Sequence, residues 1–396
     1  MMRHFSWSVC GFAAGTMLAL AAVGCTEVEG EDDPALDEAE GGGVAEGALL
    51  FTLARFDGNG RRCATCHPVA FGQSGTLNPA QVELRFRFDP SGELFRHDGA
   101  DVIGGNTFNR VRSHATILID RALPANISIA GSSARSVILP RGIPTVMNTP
   151  ALDPVLMYDG RDPTLQAQAR GAALAHAQSS NVTDSQLDSI AAFEMTLFNR
   201  RNLRDFVKYG TPLSMPDGGN DSERRGRRFF IDDGLSDMDS VGESPTAICG
   251  WCHSGDFLNG TSAFFGTNIF TLPEGSRFNT ALVSELNPLG NPVYAFDVRN
   301  PNGSVTRVNS PDPGFMLTVG AAQAANLFKT PTLWGVKDTA PYFHDNSSDS
   351  LEALANHYDT ALGILCRITP GCVASVGSID LSDQDKADIV AYLKLL

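Results

Sequence analysis

The stretch Cys63-Ala64-Thr65-Cys66-His67 and its counterpart Cys249-Gly250-Trp251-Cys252-His253 decide how this chain is organised. In each, the cysteines lie one helical turn apart, so both thiols can reach the two vinyl groups along one edge of a porphyrin. The adjacent histidine can then place its imidazole under the iron. Zinc would need a second cysteine pair much closer in sequence, and a redox dithiol would need a βαβ pattern, which is not visible. The sequence therefore predicts two covalently attached haem c groups.

The bulk composition bounds the partners that the chain can bind. It has 396 residues, of which 42% are hydrophobic, and a formal charge of -15 with a pI of about 4.9. Nucleic acid is excluded as a partner because phosphate neutralisation needs a basic surface. The acidic exterior either suits a basic protein partner or only provides solubility.

The N-terminal residues predict export. Residues 1–25 combine an early basic residue, a short apolar stretch and small residues before Cys25, which is typical of a signal peptide. Ala22-Val23-Gly24-Cys25 resembles a lipobox, and an ordinary cleaved signal is the alternative. Thr26 favours the outer membrane for the lipidated form. Residues 26–46 are acidic and Gly-rich, and they predict a tether that does not fold.

Cysteine usage fits an exported protein. Of eight cysteines, Cys10 and Cys25 belong to the targeting segment and four belong to the two CxxCH motifs. The remaining pair, Cys366 and Cys372, predicts either a short disulfide loop in an oxidising compartment or two free thiols.

Each half of the chain has the order helix, CxxCH motif, long loops and closing helix. Residues 44–56 predict a helix with Leu49, Leu50, Leu53 and Phe56 on one face, and residues 223–231 predict its counterpart. The closing helices begin at the capping boxes Thr183-Asp184-Ser185-Gln186 and Ser382-Asp383-Gln384-Asp385.

This recurring order predicts a duplicated unit within a mainly α fold. We expect two cytochrome c-like helical domains with long loops, at residues 47–207 and 223–396, joined by a linker at 208–222. Short strands are expected at 293–298 and 305–309.

Two further pairs of motifs carry a family resemblance. Pro144-Thr145-Val146-Met147-Asn148 is followed by Tyr158-Asp159-Gly160-Arg161, and Thr330-Pro331-Thr332-Leu333 is followed by Thr339-Ala340-Pro341-Tyr342-Phe343-His344-Asp345. These motifs resemble those of the bacterial di-haem cytochrome c peroxidase and MauG family, from about Ala45 to the C-terminus. The resemblance implies two cytochrome c domains that face each other, with a calcium ion between the haems.

The resemblance also implies the iron ligands. His67 and His253 would be the proximal ligands. Tyr358, fourteen residues after the histidine of the second signature, would be the second ligand of the C-terminal haem, with His357 as its competitor. Met316 is a distant third candidate.

Between the haems, the resemblance gives Tyr158 the position of a charge-relaying tryptophan. Thr339 and Pro341 match positions whose carbonyl oxygens bind calcium in the family. Gly142 replaces an asparagine that supplies a further oxygen, so one hard ligand would be missing. Trp334 replaces an arginine, so a charged contact near a haem propionate would be lost.

The N-terminal haem departs most from the family. No histidine occurs in residues 129–139, where the distal ligand is expected, so this haem would be five-coordinate or weakly ligated. His97 and His114 are expected to be loop histidines. Gln168 matches the family's distal glutamine, whereas Gln178 replaces its catalytic glutamate and cannot transfer a proton as a carboxylate would. His176 could replace that acid/base function if it faces the pocket.

The function implied by the resemblance is that of a periplasmic oxidoreductase, lipid-anchored to the outer membrane. Hydrogen peroxide would meet the open N-terminal haem, while a small redox protein of the cytochrome c or cupredoxin type would deliver electrons to the C-terminal haem. One alternative is a di-haem oxygenase or a MauG-like oxidase acting on an organic or protein substrate. The other is an electron-transfer cytochrome without a substrate.

Overall fold

The structure is a computed structural model that describes residues 38–70, 74–153, 155–230, 248–250, 252–253, 255–260, 278–279, 282–368 and 380–396. The predicted signal peptide, the lipobox, Cys372 and most of the tether lie outside the described residues. The helices in chain order are α1 (Glu38–Leu53), α2 (Cys63–Cys66), α3 (Pro79–Phe88), α4 (Asn109–His114), α5 (Thr149–Leu152), α6 (Leu165–Ala175), α7 (Asp184–Glu194), α8 (Arg201–Tyr209), α9 (Asp221–Arg227), α10 (Val283–Leu286), α11 (Met316–Val319), α12 (Leu351–Ile368) and α13 (Asp383–Leu393). The strands are β1 (Thr116–Ala122), β2 (Ile127–Ile129), β3 (Ser136–Gly142), β4 (Phe278–Asn279), β5 (Tyr294–Arg299), β6 (Val305–Ser310) and β7 (Phe328–Lys329).

Two helix pairs cross in the same way in the two halves. α1 packs against α7 at Gly47, where an added Cβ would lie 1.8 Å from the carbonyl oxygen of Ser189. α9 packs against α13 at Gly226, where an added Cβ would lie 1.9 Å from the carbonyl oxygen of Asp388. No side chain fits at either crossing, so each requires glycine. This shared backbone contact is what a duplicated unit predicts.

The closing helices begin where their capping boxes predict. The Thr183 hydroxyl accepts from the Gln186 amide at the start of α7, and the Ser382 hydroxyl accepts from the Asp385 amide at the start of α13. Each side chain satisfies one of the backbone donors that a helix leaves unpaired at its N-terminus. Residues 38–396 form one compact unit, and its division at a linker of residues 208–222 stays a prediction.

The predicted apolar face of α1 was wrong for Leu49 and Leu53, whereas Leu50 and Phe56 pack against a core cluster. Leu49 and Leu53 are 61% and 60% exposed, and Phe56 lies beyond the end of the helix with a φ of 48°. Phe51 is the buried residue, with its ring 5.4 Å from that of Phe193 on α7. The reason is that α1 contacts α7 through the face that carries Gly47, and Phe51 lies one turn further along the same face.

The fold is helix-rich, with three small antiparallel sheets in the described residues. The strands expected at 293–298 and 305–309 are present as β5 and β6, which pair with each other and, through β5, with β2. The β1–β3 pair was not predicted. Phe296 and Val298 of β5 and Met316 of α11 are buried in one core cluster, so Met316 is a packing residue.

Two further observations concern export. Cys366 on α12 is disulfide-bonded, so the free-thiol alternative is wrong for this residue. Among the helices that the structure describes, none is long and apolar enough to span a bilayer.

Candidate haem sites

The first motif places its histidine on a short helix. In α2, the amide of His67 donates to the carbonyl oxygen of Cys63 at 2.9 Å. The imidazole Nδ1 lies 3.0 Å from the carbonyl oxygen of Gly75, which can only accept, so Nδ1 carries the proton. Burial lowers the pKa of His67 to about 4 and keeps the ring neutral. Nε2 is then the unprotonated nitrogen that an iron ligand requires.

The second motif repeats this geometry. The amide of His253 donates to the carbonyl oxygen of Cys249 at 2.9 Å, and its Nδ1 lies 2.8 Å from the carbonyl oxygen of Leu258. Burial again lowers the pKa of the ring. Both motifs therefore present a neutral, oriented imidazole.

The alternatives to haem are a zinc site and a redox dithiol, and the surroundings of the thiols favour neither. Burial raises the pKa of Cys63 to about 12 and that of Cys252 to about 11, so neither is a reactive thiolate. Within the described part of the chain, no group of three or more His, Cys, Asp or Glu residues could hold a metal ion. Thioether attachment to a porphyrin is compatible with both observations.

A cleft beside the first motif has a lining whose chemistry suits a haem. Its walls are mainly apolar and come from β1, α6, α7 and the segments next to them, and they include Ile117, Ile119, Ile143, Ala169, Ala172, Val182 and Ile190. Arg61, Arg141 and Arg161 also line it, and guanidinium groups are suited to hold carboxylates such as haem propionates. The lining thus combines an apolar body with cationic contacts.

His176 lines this cleft and is held by a buried carboxylate. Its Nδ1 lies 2.6 Å from Oδ2 of Asp98, which is 2% exposed. Arg61 forms an ion pair with the other oxygen of Asp98. Burial raises the pKa of Asp98, but the hydrogen bond from His176 and the charge of Arg61 outweigh it and hold the pKa below its ordinary value. Asp98 therefore stays ionised and fixes His176 with Nδ1 protonated.

The two glutamines expected on the distal side, Gln168 and Gln178, lie in different places. Gln168 on α6 lines the cleft. Gln178 does not, which corrects its placement as a pocket residue. Its backbone turns to a φ of 55°, its side chain is exposed, and its amide oxygen accepts from Asn59 at 3.1 Å. His97 and His114 are absent from the lining, but they are not loop histidines, because His97 begins a short 3-10 helix and His114 ends α4.

Tyr158 borders the same cleft, next to a buried charge network. Arg141 is 2% exposed and binds Asp312 through two hydrogen bonds of 2.7 and 2.9 Å and Asp159 through one of 2.8 Å. Burial raises the pKa of the Tyr158 phenol. The Tyr158 carbonyl oxygen accepts from the Lys329 amide at 2.8 Å, which ties the first half to β7.

Tyr358 lies on α12 near the second motif. Burial raises the pKa of its phenol. The ring of the adjacent His357 lies 4.3 Å from that of Phe343, and the ring of Tyr358 lies 5.9 Å from it. Both side chains therefore pack against Phe343, and both stay candidate ligands.

Trp334 is a buried packing residue. It is 3% exposed, and its indole N–H donates to the carbonyl oxygen of Asp256 at 2.8 Å. No charged contact is available from this side chain.

Gly142 lies where a larger residue does not fit. An added Cβ would lie 2.1 Å from Oδ1 of Asn346, whose amide donates to the carbonyl oxygens of His114 and Ala115. The Asn346 side chain thus fills the space that a larger residue at 142 would need. A cis peptide bond joins Ala340 to Pro341, between the two expected carbonyl ligands.

Comparisons with known proteins bear on the fold. No protein-family model matches the sequence, and no curated protein matches it either. Among solved structures, a MauG-like protein associated with microbial copper homeostasis matches with 17% identity and a TM-score of 0.50, over 92% of this chain and 90% of that one. The fold is similar to that of a MauG-like protein.

Weaker matches follow. The diheme peroxidase BthA from Burkholderia thailandensis has 17% identity and a TM-score of 0.43, over 92% of this chain and 86% of that one. Hydrazine synthase from Kuenenia stuttgartiensis has 15% identity and a TM-score of 0.35, over 82% of this chain and 95% of that one.

The roles of two groups of residues could not be identified from the sequence. Asp98 and Arg61 lie 78 and 115 residues from the parts of His176 that they contact, and the Arg141–Asp312 pair spans 171 residues. No local pattern reports contacts of such range. The signature motifs did carry a partial signal, because Asp159 belongs to one of them.

Proposed function

We propose that the chain is a di-haem c-type oxidoreductase that reduces hydrogen peroxide in the cleft beside His67. The observation that carries the proposal is the His176–Asp98 pair at the wall of that cleft. It supplies a proton-transfer group where Gln178 leaves none. His67 and His253 would be the proximal ligands of the two haems.

A bound haem would supply the iron centre and pass on the electrons for a reaction in which one peroxide, two electrons and two protons become two waters. The chain must hold and move the protons. With Nδ1 fixed by Asp98, Nε2 of His176 is the nitrogen that can accept a proton from one peroxide oxygen and return it to the other. Gln168 can orient the peroxide by hydrogen bonding, and Arg61 balances the charge of Asp98 while His176 changes protonation.

The second site has the complementary role. We propose that Tyr358 caps the haem held by His253, that electrons enter there from a small cytochrome c or cupredoxin, and that Tyr158 relays charge to the first cleft. Thr339 and Pro341 are the proposed calcium ligands, and calcium titration of metal-free holoprotein would show whether an ion binds.

The test is steady-state peroxide reduction by the purified holoprotein. His176→Gln should lower kcat by about 10²- to 10⁴-fold, which is the usual contribution of a positioned acid/base group. His114→Gln is the matched control, because His114 does not line the cleft. Wild-type turnover in the His176→Gln protein, with both haems attached, would contradict the proposed role.

A second candidate is an oxygenase or a MauG-like oxidase that acts on an organic or protein substrate. It is favoured by the absence of any Asp or Glu from the described lining of the cleft. Dioxygen binding to the reduced protein, without peroxide turnover, would favour it. If both haems were low-spin and reacted with neither peroxide nor dioxygen, the result would instead favour an electron-transfer cytochrome.

We also propose a periplasmic location with a lipid anchor at Cys25 in the outer membrane, so that the chain contacts the membrane only through that lipid. Fractionation of cells that express the Cys25→Ser variant tests the anchor. Recovery of wild type and variant in the same fraction would exclude it.

A further inference from the structure

A groove lies on the outer side of the first haem-attachment helix. It is bounded by the end of α1, by α3 and by residues 92–96, and its floor includes Ala64 and Thr65 of α2. The cleft described above lies against Cys63 and Cys66 of the same helix. The groove and the cleft are therefore separated by α2.

Apolar side chains at the groove are unusually exposed. Phe88 is 83% exposed and Leu84 is 56% exposed, and both line the groove from α3. Leu53, which directly follows the lining residue Thr52 at the end of α1, is 60% exposed. A cluster of large apolar side chains in water is a recurrent property of protein docking sites.

The groove is positive in a chain whose net charge is -15. Arg55, Arg62, Arg85 and Arg96 line it, against two carboxylates, Asp89 and Glu93. Arg55 and Arg62 share Glu93, at 2.8 and 3.3 Å.

Arg96 donates to the carbonyl oxygens of Asn59 and Ser91, and it has no carboxylate partner among the described residues. The arginines of the groove can therefore bind further carboxylates. Arginines beside an exposed aromatic residue are the composition that dominates binding energy at interfaces.

We propose that this groove is the docking site of an acidic protein that presents carboxylates around an apolar side chain. Charge complementarity decides the occupant, because the remaining surface of this acidic chain repels such a partner and only a local positive patch can hold it. Binding at the groove does not depend on the proposed function.

The experiment measures binding to the intact holoprotein by isothermal titration at about 0.1 M salt, where charges beyond about 10 Å are screened. Acidic plastocyanin is the probe and basic cytochrome c is the comparison. Arg55→Glu and Phe88→Ser should each weaken plastocyanin binding by about tenfold. Both side chains are exposed, so neither change should alter the circular dichroism spectrum or the thermal midpoint.

Arg201→Glu is the matched control. Arg201 lies on α8, outside the groove, with its side chain 85% exposed, and the substitution changes the net charge as Arg55→Glu does. It should change the affinity by less than twofold. Equal losses for the two charge reversals would overturn the proposal, as would tighter binding of basic cytochrome c that Phe88→Ser weakens.

Two other occupants have their own readouts. Self-association that Phe88→Ser abolishes in sedimentation experiments would assign the groove to a second copy of this chain. Binding to anionic phosphatidylglycerol vesicles that requires Phe88 would assign it to a membrane. Either result would overturn the proposal. Peroxide turnover is measured separately, so its loss would not be mistaken for loss of docking.

Discussion

Glu194, the last residue of α7, is a buried carboxyl group that the proposed mechanism does not use. It is 4% exposed, and its Oε2 has no hydrogen-bond partner in the described part of the chain. Burial raises its pKa from 4.5 to about 8. Replacing it with glutamine should therefore change how the stability of the protein depends on pH.

The sign follows from proton linkage. Between pH 4.5 and 8 the folded chain retains a proton on Glu194 that the unfolded chain releases, so the free energy of unfolding falls as pH rises and levels off above pH 8. At about 1.4 kcal/mol per pKa unit, the full cost is about 5 kcal/mol, of which about 3 kcal/mol develops between pH 5 and 8. Glu194→Gln removes this dependence. A buried amide without partners adds a cost of its own, but that cost is independent of pH.

The assay is urea unfolding of the holoprotein, followed by far-ultraviolet circular dichroism at pH 5 and pH 8. The stability of Glu194→Gln relative to wild type should rise by about 3 kcal/mol between the two. Glu352→Gln is the control, since the Glu352 side chain is 61% exposed and paired with Lys394 at the surface, and its effect should stay within about 0.5 kcal/mol. Parallel pH profiles for Glu194→Gln and wild type would refute the reasoning.

Three further predictions concern the helix crossing and the haem sites. Gly226→Ala should lower stability by at least about 1–3 kcal/mol in thermal unfolding, because its Cβ would meet the backbone of α13, whereas Gly171→Ala, with open space around it, should be neutral or stabilising. Tyr358→Phe should convert the second haem to a high-spin form in electron paramagnetic resonance, and His357→Ala should not; the reverse pattern would assign the ligand to His357. Tyr158→Phe should slow electron transfer between the haems in stopped-flow experiments, and an unchanged rate would remove Tyr158 from the path.

Local patterns in the sequence were sufficient for some elements. The capping boxes at Thr183 and Ser382 predicted helix starts because each bond joins residues three positions apart. The strands β5 and β6 were predicted from their own residues, and they pair with each other as neighbours in the chain. Both depend only on near neighbours.

Contacts between distant segments could not be predicted in this way. Leu49 and Leu53 looked like a buried face, but the backbone approach of Gly47 to α7 turned that face outward. Asp98 gave no signal of its own, because its importance comes from meeting His176 across 78 residues. Side chains at the site could thus be identified from the sequence, whereas the distant residues that contact them could not.

The two motifs repeat the hydrogen bonding of their histidines, so a difference between the two proposed haem sites would come from the opposite side of each. His67 and His253 both bind a backbone carbonyl through Nδ1 and both are neutral, so they would be equivalent as the proposed proximal ligands. The first cleft is lined by His176 and by arginines, whereas Tyr358 is the proposed second ligand beside the second motif.

Because burial raises the pKa of the Tyr358 phenol, it can lose its proton there only if a nearby positive charge offsets the cost. Ferric iron supplies more of that charge than ferrous iron, so ligation by Tyr358 would stabilise the oxidised state and lower the potential of the second haem. A low-potential second site would be a good reductant for the first cleft, and this would give the proposed electron flow from the second site to the first a thermodynamic direction.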